Sequence, residues 1–189
     1  MIEFIEDGHL YLLDGMLTPC VSNILHFIFP DKYKGVNEKV LNKKAEYGST
    51  VHKAIECLEQ DLEMPKLNYI QEESIEQYKK LKSRYNIEVL SQEQKIHYKD
   101  LYCGTYDMEA NVNNIHSLVD IKTTAELDKE YLSWQLSFYE LAIGNKFEKL
   151  YCLWLPKKGL GRLVEIKRKT KKELLKVLKD YADFYKQDR

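Results

Sequence analysis

The sequence predicts an α/β fold, a central mixed β-sheet of four or five strands flanked by α-helices, and three observations carry that prediction. Residues 101–124 read as two strands about an Asn113-Asn114 turn, because two-residue hairpin turns need φ > 0 and Asn accepts it. Glu130 to Ile143 repeats apolar residues at helical spacing, and the run LYCLWL that follows reads as a buried strand ended by Pro156. Hydrophobic residues make up 44% of the 189 and charged residues 31%, which fits a single globular domain over 1–189 and excludes a disordered chain.

Taken in order, residues 2–5 and 9–13 form a hairpin about Asp7-Gly8, with Asp14-Gly15 following. Thr18-Pro19 and Ser22 stand at the start of a short apolar helix, VSNILHFIF, closed by Pro30, in which His26 reads as packing. Residues 1–30 are thus expected to decorate the domain. After a polar loop, Asp31 to Asn37, a helix runs from Glu38 to Gln60 with Leu41, Ala45, Gly48, His52 and Ile55 along one face. Gly48 costs about 1 kcal/mol against Ala inside a helix, so a close approach of backbone or ligand is expected there. A linker containing Pro65 leads to a Glu- and Lys-rich helix over 69–85, whose charges make a solvated face. Ile87 to Tyr98 reads as a strand, interrupted or bulged near Ser91 to Gln94, that enters the Asn113-Asn114 hairpin.

Beyond the hairpin, the 130–143 helix presents Leu132, Leu136, Tyr139 and Ala142 or Ile143 along one side and stops at Gly144. Residues 157–161 turn, and Leu163 to Lys167 make a short edge strand. The last helix opens with the capping box Thr170-Lys171-Lys172-Glu173 and turns Leu174, Leu178, Tyr181 and Tyr185 inward. Lys167, Arg168, Lys169, Lys171 and Lys172 cluster at its start, either as a solvated surface or as a phosphate-contacting patch.

Composition also narrows the classes of function. A net charge of −1 gives no global attraction for nucleic acid, so any DNA binding has to be local, through a basic patch or metal ions. No run approaches the roughly 18 apolar residues of a membrane span, and the N-terminus lacks a basic region followed by an apolar one, so a cytoplasmic protein with no membrane partner is expected. Cys20, Cys57, Cys103 and Cys152 form no CxxC pair, which argues for buried free thiols rather than a zinc or iron-sulfur site.

Chemistry concentrates in the hairpin. Asp107 and Asp120 are equidistant from Asn113-Asn114 and therefore fall opposite each other on neighbouring strands, where Cβ atoms come within about 4.5–5.5 Å and like charges need neutralising. Lys122 shares the face of Asp120, and Tyr106, Met108, Val119 and Ile121 make an apolar set on the other face. Two carboxylates and an ammonium on one face of a ribbon are the parts of a metal site for phosphodiester hydrolysis: the carboxylates hold Mg²⁺ or Mn²⁺, and the lysine orients or deprotonates water or stabilises developing charge. His52 projects from its helix beside Glu56, one turn on; core packing and a functional role both suit it, as a partner that orients His52 and a plain surface position both suit Glu56. Gln135 and Tyr139, four apart, share a helix face. Trp134 and Trp154 read as core rather than as platforms for bases.

The pattern D-x12-D-x-K formed by Asp107, Asp120 and Lys122 is that of the PD-(D/E)xK nucleases, and four ordered blocks give it context. These are EDGHLYLLDGMLTPCVSNIL, GSTVHKAIE, the pair GTYD and LVDIKTT, and WQLSFYEL with its Q-x-x-x-Y. In them the chain resembles the RecB-like branch of that superfamily, in particular small phage-type exonucleases. The resemblance implies a restriction-endonuclease-like core and a Mg²⁺- or Mn²⁺-dependent DNA exonuclease acting from duplex ends in recombination or repair. It implies that His52, Asp107, Asp120 and the carbonyl of Ile121 bind the metal, that Lys122 assists the water, and that Gln135 and Tyr139 support the site and contact the DNA backbone. Glu93 matches, more weakly, an acidic residue of the preceding strand. A single-strand annealing protein as partner and a ring-shaped homotrimer are further implications. An endonuclease, a single-strand nuclease or a DNA-binding module without turnover are the alternatives. Two departures stand out: the clustered cysteines of the iron-sulfur members are absent, so no cluster is expected, and Cys103 precedes GTYD where a smaller residue is usual.

Overall fold

The hairpin about Asn113-Asn114 is the centre of a five-stranded sheet. The computed structural model describes residues 1–5, 8–144 and 146–187, with side chains to 184. Both asparagines lie in the left-handed region, at φ 49° and 65°, as a two-residue turn between right-twisted strands requires. They join β5 (Tyr102–Val112) to β6 (Ile115–Lys122) in the expected register, Val112 opposite Ile115 and Met108 opposite Val119. β4 (Ile87–Tyr98) pairs antiparallel with β5, and its register shifts between Val89 and Ser91, at Leu90, just before the stretch from Ser91 to Gln94 near which a bulge is expected. β7 (Lys149–Trp154) runs parallel to β6, and β8 (Arg162–Glu165) closes the mixed sheet in the order β4-β5-β6-β7-β8.

The parallel β6–β7 pair requires a crossover, supplied by α4 (Lys129–Ile143). Asp128 caps its first turn by accepting from the Tyr131 N–H, and Gly144 at φ 95° ends it. Together with α1 (Val21–Ile28) and α5 (Lys171–Gln187), α4 covers one face of the sheet over Leu118, Leu150 and Cys152. α2 (Glu38–Glu59) and α3 (Tyr69–Arg84) cover the other, over Met108, Val119, Ile121 and Leu153. Among the described residues, no helix is long and apolar enough to cross a membrane.

The N-terminal segment holds three strands rather than two: β1 (Ile2–Ile5), β2 (Leu10–Leu13) and β3 (Met16–Thr18) form a meander, because Asp14-Gly15, both at positive φ, makes a second tight turn. Asp7 of the first expected turn lies outside the described residues, as does the side chain of Tyr185. The meander docks on the start of β5 through Tyr11, Leu13, Cys20 and Cys103, and the Tyr11 hydroxyl lies 2.9 Å from Thr105 Oγ1. All four cysteines are buried free thiols.

Three expectations about faces need correction. The buried stripe of α2 is Tyr47, Val51, Ala54, Ile55 and Cys57, rotated from the one expected; Ala45 is exposed, and Gly48 and His52 lie at the stripe's border. The reason is that α2 packs on α3 as well as on the sheet, so its apolar arc is shared between two neighbours. No backbone crowds Gly48 either, since a Cβ there would meet only Thr123 Oγ1 at 3.4 Å, an ordinary contact. Tyr106 is buried as expected but joins the core under α4, while Met108 and Val119 face α2 and α3, so regular alternation breaks between Tyr106 and Met108. There the neighbouring strand carries Glu93 at φ 48°.

The Asn113-Asn114 turn is open to a direct test. Asn114→Ala places a Cβ-bearing residue without a compensating side chain in the left-handed region and is expected to lower unfolding free energy by about 1–2 kcal/mol. Asn114→Gly is expected to leave it unchanged or higher, as measured by urea denaturation.

Candidate active site

The β5–β6 pairing stops at Met108 and Val119, one step short of Asp107 and Asp120. Each aspartate then finds its own partner. Asp107 Oδ2 accepts from the Ile121 N–H at 2.7 Å, while Lys122 Nζ sits 2.9 Å from Asp120 Oδ1 and 2.8 Å from Oδ2. Asp120 is 1% exposed, on the α4 face beside Cys152. Burial raises the pKa of its carboxyl, only partly offset by the charge of Lys122. For Lys122 burial acts against the charge, but Asp120 and Asp107 outweigh it and hold the ammonium above the usual lysine range. Lys122 is therefore held as a positive charge and a hydrogen-bond donor rather than as a base.

His52 reaches this point from α2. Its Nε2 is 3.0 Å from the carbonyl oxygen of Ile121, and its Nδ1 is 3.7 Å from Asp107 Oδ1. A carbonyl only accepts, so Nε2 carries hydrogen, and Nδ1 of the neutral ring turns a lone pair towards a carboxylate. A cation held in that gap would relieve the contact. The Ile121 carbonyl, expected as a metal ligand, is engaged by His52 here.

Glu93 completes the cluster. Gln92 pairs with Met108 and Gln94 with Tyr106, so Glu93 stands across from Asp107, and its left-handed backbone is what turns the side chain out of regular alternation. Ligand atoms of His52, Glu93 and Asp107 lie within 4.8 Å of one another. Partial burial, then the charges of Asp107 and Glu56, push the Glu93 carboxyl up to about 7. Because Glu93 is exposed as a residue, the repulsion from Asp107 is the cause that carries weight. Two carboxylates and an imidazole at such range, with a third carboxylate next to them, are a hard oxygen-rich set with one nitrogen, which fits Mg²⁺ or Mn²⁺. Asp120 stands apart from this set, turned to Lys122.

The remaining expected residues sort by contact. Glu56 is half-buried but pairs with Lys53 at 2.9 Å rather than with His52. On α4, Gln135 Nε2 donates to the Tyr139 hydroxyl at 3.2 Å, and Gln135 Oε1 is buried without a partner among the described residues. Burial, eased by that hydrogen bond, keeps the Tyr139 phenol well above its ordinary range. The glycine of GTYD serves this tyrosine: a Cβ at Gly104 would fall 2.8 Å from Tyr139 Cε1 and 3.3 Å from Val21 Cγ2. His52, Glu56, Glu93, Asp107, Lys122, Gln135 and Tyr139 all line one cleft of about 880 Å³. The sequence reading missed that Phe4, His9 and Tyr11 of the meander line it too, although the clustering of aromatics in the first hairpin was visible. Of the basic run, Arg168 donates to Glu140 and to the Phe147 carbonyl, and Lys169 pairs with Glu130, so these two charges are satisfied internally. Trp134 lies against Phe138 in the core, and Trp154 donates to the Thr124 carbonyl at 2.7 Å.

No protein-family model and no curated protein matches the sequence. Among solved structures, the chain is similar in fold to SSO0001, with a TM-score of 0.51 and 16% identity over 88% of this chain and 75% of that one. A phage related exonuclease from Haemophilus somnus 129PT superposes with a TM-score of 0.42 at 11% identity, over 86% of this chain and 89% of that one.

Two outcomes follow from this geometry. A carboxyl raised to about 7 costs the metal-free fold nothing below its unfolded pKa of about 4.3, and the cost is complete above about 7. Glu93→Gln is therefore expected to raise the melting temperature of the metal-free protein at pH 8 and not at pH 4. Gly104→Ala is expected to displace the Tyr139 ring and to destabilise by about 1–3 kcal/mol, read by denaturant unfolding.

Proposed function

We propose that this protein is a metal-dependent deoxyribonuclease with a PD-(D/E)xK site of the RecB-like kind, hydrolysing phosphodiester bonds as an exonuclease from duplex ends. The observation that carries the reading is the convergence of His52, Glu93, Asp107 and Lys122 on one cleft, with two carboxylates and an imidazole within 4.8 Å of one another and the Lys122 ammonium held from behind by buried Asp120. Two carboxylates as close as Glu93 and Asp107 repel each other and a phosphodiester oxygen unless a cation is held between them. His52, Glu93 and Asp107 would hold Mg²⁺ or Mn²⁺, with Asp120 adjacent. When bound, the ion supplies Lewis-acid polarisation of the phosphoryl group and lowers the pKa of water.

The protein's own residues do the positioning. Asp120 fixes the Lys122 ammonium, which stabilises negative charge growing on the phosphoryl oxygens and can donate a hydrogen bond to the attacking water. Asp107, anchored by the Ile121 N–H, keeps one oxygen directed at His52. Gln135 and Tyr139 form a donor and acceptor pair on the α4 wall, where they support the site and meet the DNA backbone. Exonuclease action, an annealing-protein partner and a trimeric ring are the readings that the ordered sequence blocks favour.

The test is release of nucleotides from linear duplex in Mg²⁺ or Mn²⁺, compared with closed circular and single-stranded DNA. Asp107→Asn and Asp120→Asn are each expected to lower the rate by more than the roughly 10–100-fold that loss of an outer partner of a metal site costs. Mn²⁺ is expected to raise the melting temperature of the wild type, and less so that of Asp107→Asn. An Asp120→Asn variant as active as the wild type, or no release under any of these conditions, refutes the reading.

A further inference from the structure

The cleft extends past the carboxylates to a wall contributed by the N-terminal meander. Phe4, His9 and Tyr11 form a closed aromatic cluster there, with ring centroids 5.0 Å apart for Phe4 and His9, 4.9 Å for Phe4 and Tyr11 and 5.7 Å for His9 and Tyr11. They differ in exposure: Tyr11 is buried and anchored to Thr105, Phe4 is half-buried, and His9 is exposed. His9 also holds φ at 51°, a conformation that costs a non-glycine residue free energy. The turn thus keeps a ring in solvent, braced edge-on by two others, at the mouth of the same cavity that contains Asp107 and Lys122.

The cluster has a cationic neighbour. Lys95 pairs across the sheet with Thr105, the residue to which Tyr11 is anchored, and it also lines the cleft. It is exposed and forms no ion pair among the described residues, unlike Lys53, which is taken by Glu56. An exposed π-face beside an uncommitted ammonium is the arrangement by which proteins hold single-stranded nucleic acid, bases stacking on aromatics while lysines follow the phosphates. A cleft of about 880 Å³ is of the size that encloses a small ligand, which suits a nucleotide or two of one strand.

We propose that His9, braced by Phe4 and Tyr11, is a stacking platform for one unpaired nucleobase of the strand being cut, with Lys95 on a neighbouring phosphate. The strand therefore enters the cleft unpaired, and the meander recognises the base by its π-face without reading its sequence. This rests on the nuclease reading for the identity of the ligand. Packing of one edge of the ring against Phe4 and Tyr11 partly desolvates it and lowers its pKa, which favours the neutral ring suited to stacking near pH 7.

The experiment is binding of a single-stranded oligonucleotide of about eight nucleotides carrying 2-aminopurine, whose fluorescence is quenched on stacking. It is done with the full chain in the Asp120→Asn background with Mn²⁺, so that cleavage does not intervene. His9→Ala is expected to weaken binding about 10-fold and to remove the quench, His9→Phe to restore both, and neither to change binding of an oligonucleotide abasic at the probe position. Melting temperatures confirm that each variant is folded. A quench unchanged in His9→Ala, or an abasic oligonucleotide bound as tightly as the intact one, overturns the proposal. Turnover by the wild type is scored separately: cleavage without a quench removes only the platform, and a His9-dependent quench without cleavage removes only the catalytic reading.

Discussion

Two carboxylates cannot face each other across a β-ladder without something to neutralise them, and the centre of this protein is arranged around that constraint. The Asn113-Asn114 turn sets a register that aims Asp107 at Asp120, yet the pairing ends one step earlier. Asp107 takes a backbone N–H and Asp120 takes an ammonium, so the repulsion is resolved by two different kinds of partner. The outcome is asymmetric. Asp120 is buried under α4 behind Lys122, whereas Asp107 is left at the cleft with His52 and Glu93.

That asymmetry depends on the helices on the two faces of the sheet. α2 delivers His52 from one side, gripping the Ile121 carbonyl of the same strand end, and α4 delivers Gln135 and Tyr139 from the other. The two cores do not merely stabilise the sheet; they bring side chains from opposite layers to the point where β5 and β6 cease to pair. Gly104 shows how close the fit is, because the β5 backbone and the Tyr139 ring leave no room for a methyl group. The meander adds a third wall, held by Tyr11 on Thr105 and by Cys20 beside Cys103.

Much of this was legible from residue order because it rests on local rules. The hairpin register followed from two asparagines at a turn that needs positive φ, and α4 followed from its apolar period and Gly144. Other features were hidden for physical reasons. The buried arc of α2 is shared between the sheet and α3, and an apolar count along one helix does not say which neighbour takes which part. The role of Glu93 was faint in the sequence because it depends on one left-handed backbone position opposite Asp107, at a residue type that gives no sign of it.

Taken alone, the sequence determined the fold class, the strand register and the short set of groups from which a site could be built, since turn chemistry, periodicity and alternation act over a few residues. Only the tertiary structure decided which carboxylates keep company: Glu93 with Asp107 and His52, Asp120 with Lys122, Glu56 with Lys53. Charge pairing is a matter of a few ångströms, and those distances are set by how layers pack and where a ladder stops, neither of which is written in the spacing of residues along the chain.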